Sequence, residues 1–177
     1  TRPFSLASAP AENRVQITTH IRDNPSEFKQ ALLELKPGMT IKASGPVGSF
    51  HLQDNRPSLL IAGGIGITPF RSIVKQLEAE GKGGNKPIHL LYMASGKSHL
   101  FQDELDALAD RAPVSVTYLD SRNDLQREID KFAASYKNEG AYLIAGAKSM
   151  VDSVAEQLQK NDVAKQNIKK DAFFGYS

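Results

Sequence analysis

Between residues 59 and 70 the chain reads Leu-Leu-Ile-Ala-Gly-Gly-Ile-Gly-Ile-Thr-Pro-Phe, an apolar run that meets glycines and passes straight into a helix start. Few folds accommodate that order. A short, unbroken apolar run is a strand buried on both faces, as strands are in a parallel sheet. Glycines let backbone approach backbone or ligand closely, and the helix start offers N–H groups and a positive dipole end to an anion. Pro69 suits the first helical turn, where no N–H bond is lost. Pyrophosphate is the natural guest of such a turn. A tight strand–helix connection with no ligand is the other reading, since the spacing is not the Gly-x-Gly-x-x-Gly fingerprint.

The alternation continues to the end of the chain. Strands are predicted at 58–62, 87–94, 114–119, 141–145 and 168–174, with amphipathic helices at 68–80, 101–111, 125–136 and 149–159. Strands separated by helices of that length form βαβ units, whose right-handed crossovers bring the loops after the strands to one sheet edge. Residues 56–177 are therefore expected to form an α/β nucleotide-binding domain, a five-stranded parallel sheet of Rossmann-like type.

Before a boundary near 54–57 the pattern differs. Strands are predicted at 2–7, at 14–21 with alternating Val15, Ile17 and Thr19, and at 40–43. One short helix is expected from an N-cap at Ser26 to Leu35, closed by Pro37-Gly38. This first region, 1–55, reads as β structure and a second domain.

Composition removes several classes of function. With no cysteine there are no disulfides, thiolate nucleophiles or thiolate-held clusters, and the four histidines show no pair at helical metal-binding spacing, so no metal site is expected. A net charge of +2 without a basic block gives no support for nucleic-acid binding. No apolar run approaches the roughly 18–20 residues of a membrane span. The first ten residues are too polar for a signal peptide, and a cytosolic location is expected.

Four further segments carry possible chemistry. Arg2-Pro3-Phe4-Ser5 offers a guanidinium for a phosphate, an aromatic face for a flat heterocycle and a hydroxyl for a ring nitrogen. Gly45-Pro46-Val47-Gly48-Ser49-Phe50 is a turn rich in backbone N–H groups. The segment 143–150, which contains Ala145 and Gly146, is a second strand, glycine turn and helix start, expected on the same sheet edge as Gly64 and Gly66. The tail holds Phe173, Phe174 and Tyr176.

Taken in order, these segments resemble the ferredoxin–NADP reductase superfamily over essentially the whole chain, and most nearly its stand-alone bacterial flavin-dependent members. The family's Arg-x-Tyr/Phe-Ser strand reads here as Arg2, Phe4 and Ser5; its Gly-Pro-x-Gly-x-Phe turn as Gly45, Pro46, Gly48 and Phe50; its Gly-Gly-x-Gly-x-x-Pro loop as Gly63, Gly64, Gly66 and Pro69. The resemblance implies that residues 1–55 are part of an antiparallel flavin-binding β-barrel. It implies FAD in preference to FMN, and NADH or NADPH as co-substrate. Arg2 would hold the flavin phosphate with the 45–50 turn, including Ser49, Phe4 would pack on the isoalloxazine or ribityl, and Ser5 would approach N5. Thr68, Ala145 and Gly146 would lie near the nicotinamide, and Phe173 or Tyr176 would cover the other flavin face. Hydride would pass from the nicotinamide to the flavin, and electrons onward to an acceptor on another chain or a small molecule.

Three departures from the family stand out. Ala145-Gly146 replaces a common Cys-Gly, which removes a thiol contact. The arginine that NADP-preferring relatives carry after the second strand is absent from Ala94-Ser95-Gly96-Lys97-Ser98, which leaves Lys97 or Arg122 for a 2′-phosphate and predicts a preference for NADH or weak discrimination. The family barrel has about six strands and this chain begins at about the fourth, so on the order of 30–45 further residues are expected upstream. Two other readings compete: a non-catalytic flavin or nucleotide sensor or electron-transfer subunit, and a dehydrogenase without flavin. The second leaves the Arg2–Ser5 and Gly45–Phe50 segments unexplained.

Overall fold

The computed structural model describes residues 1–53, 55–81, 86–96 and 98–174. Five parallel strands, β1 (Ser58–Gly63), β2 (Ile88–Met93), β3 (Ser115–Leu119), β4 (Ala141–Ala147) and β5 (Ile168–Phe173), lie in the order β3-β2-β1-β4-β5. The helices are α1 (Glu27–Leu33), α2 (Ile67–Glu80), α3 (Gln102–Ala109), α4 (Arg122–Tyr136) and α5 (Lys148–Lys160).

Successive side chains of a strand point to opposite faces, and here both faces are covered. Leu59, Ile61, Tyr142 and Ile144 pack against Ile129, Phe132, Val151 and Leu158 of α4 and α5. Leu60, Ala62, Leu143 and Ala145 pack against Phe70, Val74, Leu105 and Leu108 of α2 and α3. The unbroken apolar run from Leu59 to Ala62 is thus a strand with no polar face. The chain winds outward from β1 through β2 to β3, then crosses to β4 on the other side of β1. Strand order reverses between β1 and β4, and a crevice opens outside their carboxyl ends at such a reversal.

The five sheet strands and the helices after them match the expectation to within a few residues. The largest shift is α4, which starts at Arg122 and not at 125, because Ser121 caps it by accepting from Asp124 N–H.

Residues 1–55 need a correction. The strands expected at 2–7, 14–21 and 40–43 do not form ladders; a single antiparallel bridge joins Leu6 to Ile17, with Ala7 N–H donating to Gln16 O at 2.8 Å. Alternating apolar residues favour an extended chain, but a strand requires a neighbour that runs alongside it. Among the described residues that neighbour exists only at the one bridge. Helix α1 follows Ser26 as expected but ends at Leu33.

Candidate functional site

The site is built on the crossover between β1 and β4. After Gly63 the backbone turns through Gly64–Gly66 into α2, and after Gly146 the chain enters α5. These two turns interlock. A Cβ on Gly66 would lie 2.1 Å from Ala145 O and 2.7 Å from Gly146 N, and one on Gly146 would lie 3.1 Å from Gly63 O. Glycine at 66 is therefore required by contact with the neighbouring turn. Gly64 differs: its φ of +54° is the left-handed region, and a Cβ there would meet nothing within 4 Å. Its outer side faces open space at the mouth of α2, where an anion would find the helix's positive end.

Thr68 lies in the first turn of α2, 1% exposed, and its hydroxyl donates to Ile65 O at 2.8 Å. It shapes the glycine turn from inside. Pro69 is buried beside it.

Strand register brings distant residues into one row. Ala62 aligns with Ala145, and Ala145 with Asp171 on β5. Residues in register share a face, so Asp171 and Lys169 belong to the face covered by α2 and α3. Both reach segments of the first region. Ser5 Oγ–H donates to Asp171 Oδ2 at 2.6 Å, across 166 residues of chain. Lys169 Nζ donates to Ser49 O at 3.0 Å and His51 O at 3.3 Å. The segments holding Ser5 and Ser49 are therefore both tied to β5, beside the glycine crossover.

A third tie comes from α2. Arg71 is 3% exposed, and its guanidinium donates to Ala7 O at 2.7 Å, to both Glu12 oxygens at 3.0 Å, and to Glu104 of α3 at 2.6 and 3.1 Å. Hydrogen bonding to Arg71 is the main cause that holds the Glu12 carboxyl at about 2, against a usual 4.5; burial opposes it, and Ala9 N–H and the charges of Arg71 and Arg14 assist. Ser72 Oγ–H donates to Ser8 O at 2.8 Å, and Ala11 N–H to Gln76 Oε1 at 3.1 Å.

The remaining expected site residues lie in several places. Phe50 packs on the core beside Phe70, ring centroids 5.6 Å apart, and so anchors the Gly45–Ser49 turn; Val47 at that turn's tip is 96% exposed. Gly45 and Gly48 both have positive φ, and nothing lies within 4 Å of a Cβ placed on Gly48. Phe4 already stacks one face on Phe28 of α1, centroids 5.9 Å apart, which leaves one ring face for any ligand. Arg2 is exposed on the same segment. Arg122 is exposed at the first position of α4, just past β3, where a cation opposes the helix dipole. Phe173 ends β5 opposite Ala147, half-buried. Tyr176 and Lys97 lie outside the described residues.

Sequence reasoning missed Arg71, Asp171, Lys169 and Glu12. No periodicity marks them, because each acts by reaching a partner far away in the chain. Among the described residues no cluster of three histidines or acidic residues could hold a metal, and no helix is long and apolar enough to cross a membrane.

Comparison with known proteins fits this geometry. The family described as oxidoreductase NAD-binding domain matches residues 60–156. The toluate 1,2-dioxygenase electron transfer component of Pseudomonas putida is 26% identical over 98% of this chain and 54% of its own length. The NAD(P)H-flavin reductase of Vibrio harveyi is 29% identical over 93% of this chain and 76% of its own. Ferredoxin-NADP+ reductase from Plasmodium falciparum superposes with a TM-score of 0.79 at 20% identity, over 97% of this chain and 77% of that one, which speaks for the fold. The chain spans about half the length of several curated relatives it matches, 54% and 56% for two of them. These findings bear out the resemblance to the ferredoxin–NADP reductase superfamily. With its glycine turn, the reversal between β1 and β4 and most of the parallel sheet inside the matched span, the chain belongs to the oxidoreductase NAD-binding domain family.

Proposed function

We propose that this chain is the nucleotide-binding part, with the adjoining flavin-facing segments, of an NAD(P)H-dependent flavoprotein reductase that passes electrons to a separate acceptor. The observation that carries the reading is the convergence of Ser5, Asp171, Ala145 and Gly66 at one strand reversal. A nucleotide site alone has no need of Ser5 there.

The residues present fit both groups. Arg2 and the open Gly45–Ser49 turn provide a guanidinium and N–H groups for a flavin phosphate, and the Gly63–Gly66 turn with the start of α2 provides N–H groups and a positive helix end for a pyrophosphate. A bound flavin, FAD in preference to FMN, supplies the redox chemistry. The chain's task is placement, which is worth a large share of a barrier when reacting atoms are held near contact. Because the Ser5 hydroxyl gives its proton to Asp171, its oxygen lone pairs remain to accept from a ligand N–H. Thr68 holds the turn that presents the nicotinamide, Ala145 and Gly146 leave room beside it, and Phe173 or Tyr176 screens the flavin from the opposite side. Residues 1–55 serve the flavin and 56–177 the nucleotide. Relatives named as electron transfer components of oxygenase systems and as a flavin reductase support an acceptor on another chain, a ferredoxin-like protein or oxygenase component, or a small molecule.

The test is the visible absorption spectrum of the intact protein, followed by anaerobic titration with NADH and with NADPH. Bleaching of a bound flavin is expected. A protein that binds flavin unbleached by either nucleotide would be a sensor or a carrier, and one that binds none would be a flavin-free dehydrogenase.

A further inference from the structure

Among the described residues Arg71 is the one buried side chain that carries a charge. Its five N–H groups make five hydrogen bonds: Nε to Glu104, one terminal nitrogen to Ala7 O and Glu12, the other to Glu12 and Glu104. The Phe101 ring lies 5.6 Å from the guanidinium carbon and closes one face. Glu12 also accepts from Ala9 N–H at 2.7 Å, so its carboxylate grips the same segment that Arg71 holds.

The location makes this more than packing. Arg71 stands one turn along α2 from Gly66 and Thr68, and Ala7 stands two residues beyond Ser5. A planar fork fixes direction as well as distance, which an ammonium does not. One rigid side chain thereby sets the Ser5 segment against the glycine turn. If the Ser5 segment faces flavin and the glycine turn faces the nicotinamide, their relative position sets the transfer distance, and an error of about 1 Å there costs on the order of 100-fold.

We propose that Arg71, held by Glu12 and Glu104, is a positioning residue that fixes the flavin-facing Ser5 segment against the nucleotide turn; the proposal rests on the flavoprotein reading above.

The test uses Arg71→Lys and Glu12→Gln in the intact, flavin-loaded protein. Three quantities are read: flavin occupancy, amide hydrogen exchange over residues 5–13, and the rate of flavin reduction on rapid anaerobic mixing with saturating NADH. Arg71→Lys keeps the charge and loses the fork. Exchange should rise about tenfold at residues 7–9 and reduction should slow about tenfold or more, with occupancy within about twofold of wild type. Glu12→Gln keeps the shape and loses the charge, and should move both readouts the same way by about threefold. Should Arg71→Lys fail to fold, Glu12→Gln, on a surface turn, carries the test by itself. A folded variant with faster exchange but wild-type reduction overturns the proposal, because the clasp is then only structural. Wild-type values in both readouts overturn it as well. A wild-type protein whose flavin neither nucleotide reduces overturns the flavoprotein reading and this role with it, and the exchange data still report whether the clasp exists.

Discussion

In the sheet region each strand has a hydrogen-bonded neighbour in register, and helices cover both faces with buried apolar side chains. Residues 1–49 share, among the described residues, one bridge between Leu6 and Ile17 and are tied to the sheet region largely by polar side chains that it extends to them: Arg71, Ser72 and Gln76 from α2, Lys169 and Asp171 from β5. Large apolar side chains such as Val15, Met39, Ile41 and Val47 are exposed there, while those of the sheet strands are almost all covered. One region generates its own position and the other borrows it. Substitutions in the first should act on global stability, and those in the second on local order and ligand contact.

The strongest challenge to that contrast is Gly66→Ala. Its Cβ would overlap the Ala145 carbonyl at 2.1 Å, backbone against backbone, so the two turns must separate. A loss of about 3 kcal/mol in chemical denaturation is expected, at the upper end of overpacking costs. Gly64→Ala, with open space around it, should cost only about 1–2 kcal/mol through its positive φ. Equal losses at the two positions would show that the turns do not interlock.

Arg2→Ala should do the reverse. It should weaken flavin binding in the intact protein roughly tenfold to 100-fold, about 1.5–3 kcal/mol, and leave the sheet's denaturation midpoint unchanged. Lysine should restore only part, since it cannot make the two-point contact. Unchanged flavin affinity would remove Arg2 from the site.

Nucleotide choice sharpens the contrast at the sheet's far edge. NADH should be preferred or the two nucleotides weakly discriminated, with any advantage of NADPH below tenfold in kcat/KM, about 1.4 kcal/mol, because an arginine is missing after β2. Arg122→Ala should lower activity with NADPH more than with NADH, since it carries the exposed guanidinium past β3. A tenfold or greater preference for NADPH would contradict the first expectation, and an equal loss with both nucleotides the second.

The smallest effect expected is an acid response confined to residues 7–13. Glu12 titrates at about 2 in the fold, below the usual 4.5, so its contribution is complete above 4.5 and is lost as pH falls from there toward 2. The charged groups facing it are Arg71 and Arg14, with Glu104 sharing Arg71. Protection of the Ala9 amide, its exchange rate taken relative to the intrinsic rate at each pH, should fall across that window, and Glu12→Gln should remove the dependence. A flat profile in the wild type would show that Glu12 does not hold the segment.

Local signals and long-range ones were legible to different degrees. The run from Leu59 to Phe70 and the strand–helix alternation after it predicted all five sheet strands: burial on both faces writes itself into the apolar runs of the central β1 and β4, and the alternation with helices supplies the edge strands. The alternation of Val15, Ile17 and Thr19 predicted a strand that does not form, because extended residues become a strand only through a partner. The family pattern offers Thr68 and Phe50 as candidate site residues, yet both turn their groups inward, one onto Ile65 O and the other onto Phe70.

The sequence by itself determined the α/β order, the glycine turn and the set of candidate ligand segments, since each depends on neighbours within about a dozen residues. Only the tertiary structure decided that Ser5 meets Asp171, that Lys169 holds the 49–51 backbone, and that Arg71 locks Ala7 and Glu12 to α2. Those contacts join residues 59 to 166 positions apart. Their partners are chosen by strand order and register, and no local pattern of residues encodes either.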